Sequence, residues 1–233
     1  MANRTRTQPG TERTSTRQQA EVDPLDTIQM FYENQKQTIN AITTVILVVV
    51  IGYFAYTKLY KGPNEEKAAT ALSYPQLYFS ADSLNLALNG DGQHLGFSKI
   101  AKKYSGTSAG NLANYYEGIC LMKMGDFANA IKALKEFNCK GTVLGNQANG
   151  LLGEAYMETG DKSKAIESFK KATADKEDGL NTPTYLYQLG IVYETSGNVN
   201  DAKAAFKRIR DEYPKSMQAR DIDKELARLG ELN

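Results

Sequence analysis

Three stretches of this sequence can be laid over one another without a gap: GICLMKMGDFANAIKALKEF from Gly118, GEAYMETGDKSKAIESFKKA from Gly153 and GIVYETSGNVNDAKAAFKRI from Gly190. Each opens with Gly, places a large side chain three residues on (Leu121, Tyr156, Tyr193), then Gly125, Gly160 or Gly197, then Ala130, Ala165 or Ala202. A large apolar residue follows four positions later, at Leu134, Phe169 and Phe206. A chain that repeats one short pattern folds into repeated units, each burying its apolar face against the next. The spacing predicts two helices per unit. Gly in the first helix lets the second approach closely, the second Gly permits the backbone of the turn, and Ala sits where helices touch. The large residues are expected to fill the gap between successive hairpins.

The offsets from Gly118 to Gly153 and on to Gly190 are 35 and 37 residues, near the roughly 34-residue period of tetratricopeptide repeats. Pro214, in EYPKS, ends the last hairpin. A degenerate unit lies upstream, where Phe97, Ile100 and Tyr104 parallel Phe206, Ile209 and Tyr213. Its partner helix falls within EEKAATALSYPQLYFSADSLNLALNG, interrupted or kinked near Pro75. At the far end Ala219, Ile222, Leu226 and Leu229 share one helical face, as a capping helix requires.

A second constraint is INAITTVILVVVIGYFAYT, Ile39 to Thr57, which is 19 residues without a charge. At about 1.5 Å per residue such a helix covers the roughly 30 Å of a bilayer's hydrocarbon core. Val45 to Ile51 is apolar on every face, and Tyr53, Phe54, Tyr56 and Tyr60 suit a headgroup interface. A cleaved signal peptide has a shorter apolar run near its start, so a transmembrane helix is the reading. Arg4, Arg6, Arg13, Arg17 and Lys36 precede it and Lys58, Lys61 and Lys67 follow, so nearby charge leaves both orientations open. The four arginines against Glu12 in the first 17 residues lean toward an N-terminus inside.

Residues 1–22 have almost no large apolar side chains and are expected to be a disordered tail. Over residues 23–36, Asp23 as cap, Pro24 in the first turn and Leu25, Ile28 and Phe31 or Tyr32 at helical spacing predict an amphipathic juxtamembrane helix. A partner-docking helix is the alternative there. The expected organisation is then this tail and helix, a transmembrane helix over residues 37–57, a degenerate half-repeat over 62–110, three repeats over 111–214 and a capping helix over 215–233. The fold class is all-α: a single N-terminal transmembrane helix followed by a tetratricopeptide-type α-solenoid of about three and a half helical hairpins with a C-terminal capping helix.

No constellation of residues for chemistry stands out. The 28 basic and 27 acidic residues nearly cancel, which is no footprint for nucleic acid. His94, in NGDGQHLG, reads as a solvated loop residue with no second His or Cys to share a metal. Cys120 and Cys139 fall roughly 10 Å apart along the hairpin, too far for a disulfide, and read as packed thiols. No catalytic, cofactor or metal site is expected, and the chain is not read as an enzyme. What remains is a surface. The first helices of such hairpins line the concave face, placing Tyr115, Ile119, Met122, Met157, Tyr187 and Ile191 in a candidate protein-binding groove. The competing expectation is that the upstream half-repeat or the capping helix covers that face.

The three repeats, the single span and the phrase AGNLANYYEGICLMKMGDFANAIKALKEF resemble the YfgM-like family of inner-membrane tetratricopeptide proteins, of the Bacteroidota type, from about Asp23 to Asn233. The resemblance implies a bacterial inner-membrane anchor with a cytoplasmic N-terminus and a periplasmic solenoid. It implies as partners the membrane subunits of the Sec translocon and a membrane-anchored periplasmic chaperone, with exported polypeptides as a further ligand. The polar N-terminus has no counterpart in that family. A mitochondrial outer-membrane receptor is disfavoured because Tyr115 and Ile119 occupy places where its carboxylate clamp needs Lys and Asn. A scaffold subunit of another cell-envelope secretion or motility complex is the alternative function.

Overall fold

A computed structural model describes residues 24–140 and 144–231. The expected tail over 1–22 and the Asp23 cap lie outside the described residues. The chain divides into two units, Met1–Ala55 and Tyr56–Asn233.

In the first unit, one helix, α1 (Pro24–Ala55), takes in both the expected juxtamembrane and membrane segments. The sequence divided them by composition, but no Gly or Pro falls between Leu25 and Ile51 to break the backbone ladder. Its apolar side chains are bare: Val45, Val48 and Ile51 are 62%, 63% and 58% exposed. Thr43 and Thr44 turn their hydroxyls back to donate to the Ile39 and Asn40 carbonyls at 2.8 Å. Those hydroxyls therefore need no water.

The second unit opens with a π-helical turn, Tyr56–Lys61, followed by α2 (Gly62–Ser80). Pro63 has no N–H to offer the carbonyl four residues back, and the turn preceding it widens. Pro75 lies inside α2, buried; the helix continues past it to Ser80 rather than ending there. Two short helices, α3 (Leu84–Asn89) and α4 (Phe97–Lys103), pack with α2 against α5 (Ser108–Lys123). The Glu65 carboxylate of α2 accepts the Ser108 and Ala109 N–H groups at 2.6 and 2.9 Å, and the Thr107 hydroxyl accepts that of Gly110. Three of the N–H groups left without intrahelical partners at the start of α5 are thus satisfied, two of them from 43 and 44 residues away.

From α5 onward the unit is a series of hairpins: α5 with α6 (Phe127–Glu136), α7 (Gly145–Glu158) with α8 (Lys162–Ala172), and α9 (Thr182–Thr195) with α10 (Val199–Glu212). Each hairpin turns the same way. Gly125, Gly160 and Gly197 have φ of 78°, 80° and 81°, which only Gly adopts without strain. The N–H that follows each, from Asp126, Asp161 and Asn198, reaches back 2.9 Å to the carbonyl of Leu121, Tyr156 and Tyr193, closing a Schellman turn. Asp126 and Asp161 then cap α6 and α8 with their side chains.

Within each hairpin, a Cβ added to Gly118, Gly153 or Gly190 would lie 2.5, 2.6 or 2.3 Å from Leu134, Phe169 or Phe206. The large residue of the second helix therefore stands on the Gly of its own hairpin. This corrects the expectation that it fills the gap between hairpins. That gap is filled instead by residues such as Tyr185, whose ring would meet a Cβ on Gly150 at 2.1 Å. Ala130, Ala165 and Ala202 are fully buried. A 3-10 turn (Gln218–Asp221) and α11 (Ile222–Arg228) close the series, with Ile222 and Leu226 buried against the last hairpin. Arg228 forks to Glu194 of α9 and to Glu225. The described residues contain no strand, and the fold is all-α.

Gly153→Ala is expected to cost about 1–3 kcal/mol, since its methyl must displace the Phe169 ring, and Ala165→Leu a similar amount by overpacking. Glu65→Gln should cost about 1 kcal/mol through the lost charge at the α5 cap. Denaturant unfolding of the full chain, followed by helicity, checks all three; an unchanged midpoint would contradict the contact concerned.

Candidate functional site: the inner face of the first helices

The backbones of the first helices approach one another along the series, α5 with α7 and α7 with α9, and each second helix packs on the next first helix, whereas the backbones of α6 and α8, or of α8 and α10, stay farther apart. A stack whose backbones lie closer along one edge curves toward that edge, so α5, α7 and α9 line the inner face. Ile119, Met122, Met157, Tyr187 and Ile191 are all half-buried there. Their inner portions pack on the cores of the hairpins: Ile119 near Tyr115 and Leu134, Met157 and Ile191 among the residues around Tyr185 and Phe206. The Tyr187 ring lies 5.7 Å from that of Phe206 at 43°.

Tyr115 differs from the other five. It is 7% exposed, its ring lies 5.2 Å from Phe137, and its hydroxyl donates to Gln147 Oε1 of α7 at 2.9 Å. Burial holds its phenol above the ordinary tyrosine value. Tyr115 is therefore a joint between the first two hairpins, which corrects its placement as an open groove residue. Apolar periodicity marks a face but not which of two neighbours covers it, and α7 reaches Tyr115 before solvent does.

Charge is divided between the first and second helices. The first helices carry four carboxylates, Glu117, Glu154, Glu158 and Glu194, against Lys123 alone. The second helices carry ten basic and five acidic residues, so the near-zero total of the chain conceals net acidic first helices and net basic second helices. Some of these lysines lie over rings of the next hairpin: Lys135 Nζ is 5.7 Å from the Tyr156 ring centre and Lys170 Nζ 5.8 Å from that of Tyr193. Of the carboxylates on the first helices, Glu117 accepts the Ser98 hydroxyl at 2.8 Å, Glu194 is held by Arg228 and Glu158 is exposed. Glu154 is half-buried, and among the described residues none hydrogen-bonds or ion-pairs with it. Burial raises its carboxyl above the ordinary value, and its charge helps push the Tyr185 phenol well above the tyrosine range, after burial.

His94 is more constrained than its loop suggested. Its ring stacks on Tyr74 with centres 3.4 Å apart, and Nδ1 lies 2.8 Å from Asp91 Oδ2, which also accepts the Tyr78 hydroxyl at 2.6 Å. Asp91 Oδ1 accepts the Gln93 and His94 N–H groups. These bonds, the Tyr78 hydroxyl foremost and His94 next, hold the Asp91 carboxyl well below the usual range. The cluster pins the Gly90–Gly96 loop onto α2 beside a cleft of about 630 Å³ lined by Tyr74, His94, Leu95 and Tyr104. Among the described residues no three His, Cys, Asp or Glu side chains gather to hold a metal. Cys120 is buried, which pushes its thiol up to about 11 and leaves it unreactive; neither Cys120 nor Cys139 forms a disulfide.

Tyr115→Phe should cost about 0.5–1.5 kcal/mol by removing one hydrogen bond, and Tyr115→Ala about 3–5 kcal/mol by opening a cavity, both read as unfolding midpoints. Asp91→Asn should lower the midpoint at pH 7. Because its folded pKa is depressed, the Asp91 contribution is fully present above the ordinary value of 3.8, fades below it and is lost as pH falls through the depressed folded value. The wild-type and D91N curves should then converge in acid; a constant gap would contradict this.

The comparisons agree with this geometry. A tetratricopeptide-repeat family model matches residues 112–138 and 184–216, and a second of the same description matches residues 147–174. No curated protein matches the sequence significantly. Among solved structures, the MamA protein superposes with a TM-score of 0.56 at 21% identity, over 71% of this chain and 84% of that one. A tetratricopeptide repeat protein from Parabacteroides merdae ATCC 43184 gives 0.56 at 16% identity, over 72% of this chain, which spans 61% of that protein's length. These likenesses concern the fold, and together with the matched residues they identify the hairpins of this chain as tetratricopeptide repeats stacked in an α-solenoid.

Proposed function

We propose that this chain is a membrane-anchored protein-interaction module, an accessory subunit of the Sec translocon whose inner face binds a periplasmic chaperone or emerging exported polypeptides. The observation that carries the reading is the pairing of a repeat solenoid with one helix long and apolar enough to cross a membrane. Its valines and isoleucines are exposed on every side, an arrangement that water disfavours and lipid does not. The resemblance to YfgM-like proteins supports the choice of translocon and chaperone, with the N-terminus cytoplasmic and the solenoid periplasmic. Anchoring holds the solenoid near a membrane partner and raises its effective concentration without added contact area. Ile119, Met122, Met157, Tyr187 and Ile191 are the residues proposed to meet the ligand.

The chain should resist alkaline extraction from its native membrane, and residues 62–233 should be degraded by protease added to the outer side of spheroplasts. Crosslinking and mass spectrometry of the full-length protein, purified in mild detergent, should join residues 62–233 to translocon subunits or a periplasmic chaperone. Crosslinks to a different secretion or motility assembly, with none to the translocon, would replace this reading with that of a scaffold subunit. Met157→Ala with Ile191→Ala should weaken the crosslinked partner's recovery about tenfold or more while helicity stays intact.

A further inference from the structure

The inner face combines a run of half-exposed apolar side chains with one half-buried carboxylate that has no hydrogen bond or ion pair among the described residues. Glu154 sits in α7, four residues after Gly150 and one after Gly153. In the repeat alignment its position is taken by Ile119 in the first hairpin and Ile191 in the third. A carboxylate between two isoleucine positions is a departure that packing does not require. It has no hydrogen bond or ion pair among the described residues, unlike Glu117 and Glu194 of the other first helices. The only basic residue of the first helices, Lys123, is joined to Asp82 at 3.1 Å and belongs to a different hairpin. The Glu154 charge acts on the phenol of Tyr185, which stays neutral.

We infer that Glu154 reads a single lysine or arginine in an otherwise apolar segment of a bound protein. The basic group would pair with Glu154 while flanking apolar side chains lie along Ile119, Met157 and Ile191. Lys and Arg suit this because their methylene stems cover apolar surface while the charged end reaches the carboxylate. The net acidic charge of the first helices favours such a segment over an acidic one and speeds its approach. The inference rests on the inner face being the binding face, as proposed above, and adds what that face selects.

Leaving a carboxylate half-buried without a partner disfavours the unliganded fold. Its folded pKa is raised above the ordinary 4.5, so stability falls as pH rises from that value and the deficit persists at neutral pH. Glu154→Gln is therefore expected to raise the unfolding midpoint at pH 7 while weakening the ligand, a combination that a purely structural glutamate would not give.

The test is selection of random twelve-residue peptides displayed on phage against the full-length protein in detergent, with E154Q in parallel. Enriched peptides should carry one Lys or Arg flanked by Leu, Ile, Met or Phe. A synthetic copy of the best peptide should bind the wild type about tenfold or more tighter than it binds E154Q, and its Lys→Gln analogue should bind both proteins alike. Apolar peptides without a basic residue, or basic peptides whose affinity E154Q leaves unchanged, would overturn the role of Glu154 and leave the groove standing. Failure of any peptide to enrich, with a dimer in light scattering or without one, would overturn the open groove itself and this inference with it.

Discussion

The hairpins depend on one close approach: a large side chain of the second helix standing on a bare backbone carbon of the first. At Gly118, Gly153 and Gly190 there is no room for a methyl group beside Leu134, Phe169 and Phe206. That contact sets the distance between the paired helices. The distance then decides that Ala130, Ala165 and Ala202 can be fully enclosed. The Schellman turns at Gly125, Gly160 and Gly197 fix the angle. With distance and angle fixed three times, the first helices fall into line beside one another, and the inner face exists because of it.

The ends of the stack are closed by different means. At the start, α2 contributes Glu65 to the exposed N–H groups of α5, and Ala68 and Leu72 to the buried cluster around Phe97 and Ile100. At the finish, α11 buries Ile222 and Leu226, and Arg228 and Glu231 reach back to α9 and α10. A repeat series presents an unsatisfied apolar face at each end, and both are covered here by helices that lack the repeat pattern.

Much of this was legible because it rests on local spacing. The Gly and Ala positions report steric limits that no other residue meets, and the charge-free run from Ile39 reports its own solvent preference. The rest depends on contacts across hairpins. Tyr115 and Ile119 lie on adjacent parts of one helical stripe, and only the arrival of Gln147 and Ala148 from α7 separates the joint from the surface. His94 looked solvated because Tyr74 and Tyr78, which hold it, precede it by 20 and 16 residues across an intervening helix. Glu154 shows in the repeat alignment only as a carboxylate where the other hairpins have Ile, and its lack of a partner among the described residues is a matter of contacts. The division of charge between first and second helices could have been counted once the hairpins were aligned, and it is the signal that sequence reading passed over.

The uneven spacing of the hairpins has a mechanical consequence. The backbones of successive first helices lie closer together than those of successive second helices, so a hairpin that tilts against its neighbour pivots near the inner edge. Bending about the inner edge breaks no turn and uncovers none of the Gly contacts that hold each hairpin. The Lys135 and Lys170 ammonium groups, over Tyr156 and Tyr193 of the next hairpin, are links across the seams that can slide while remaining above their rings. The solenoid is thus a curved leaf spring, its Gly contacts and Schellman turns lying within each leaf and its bending confined to the seams between leaves.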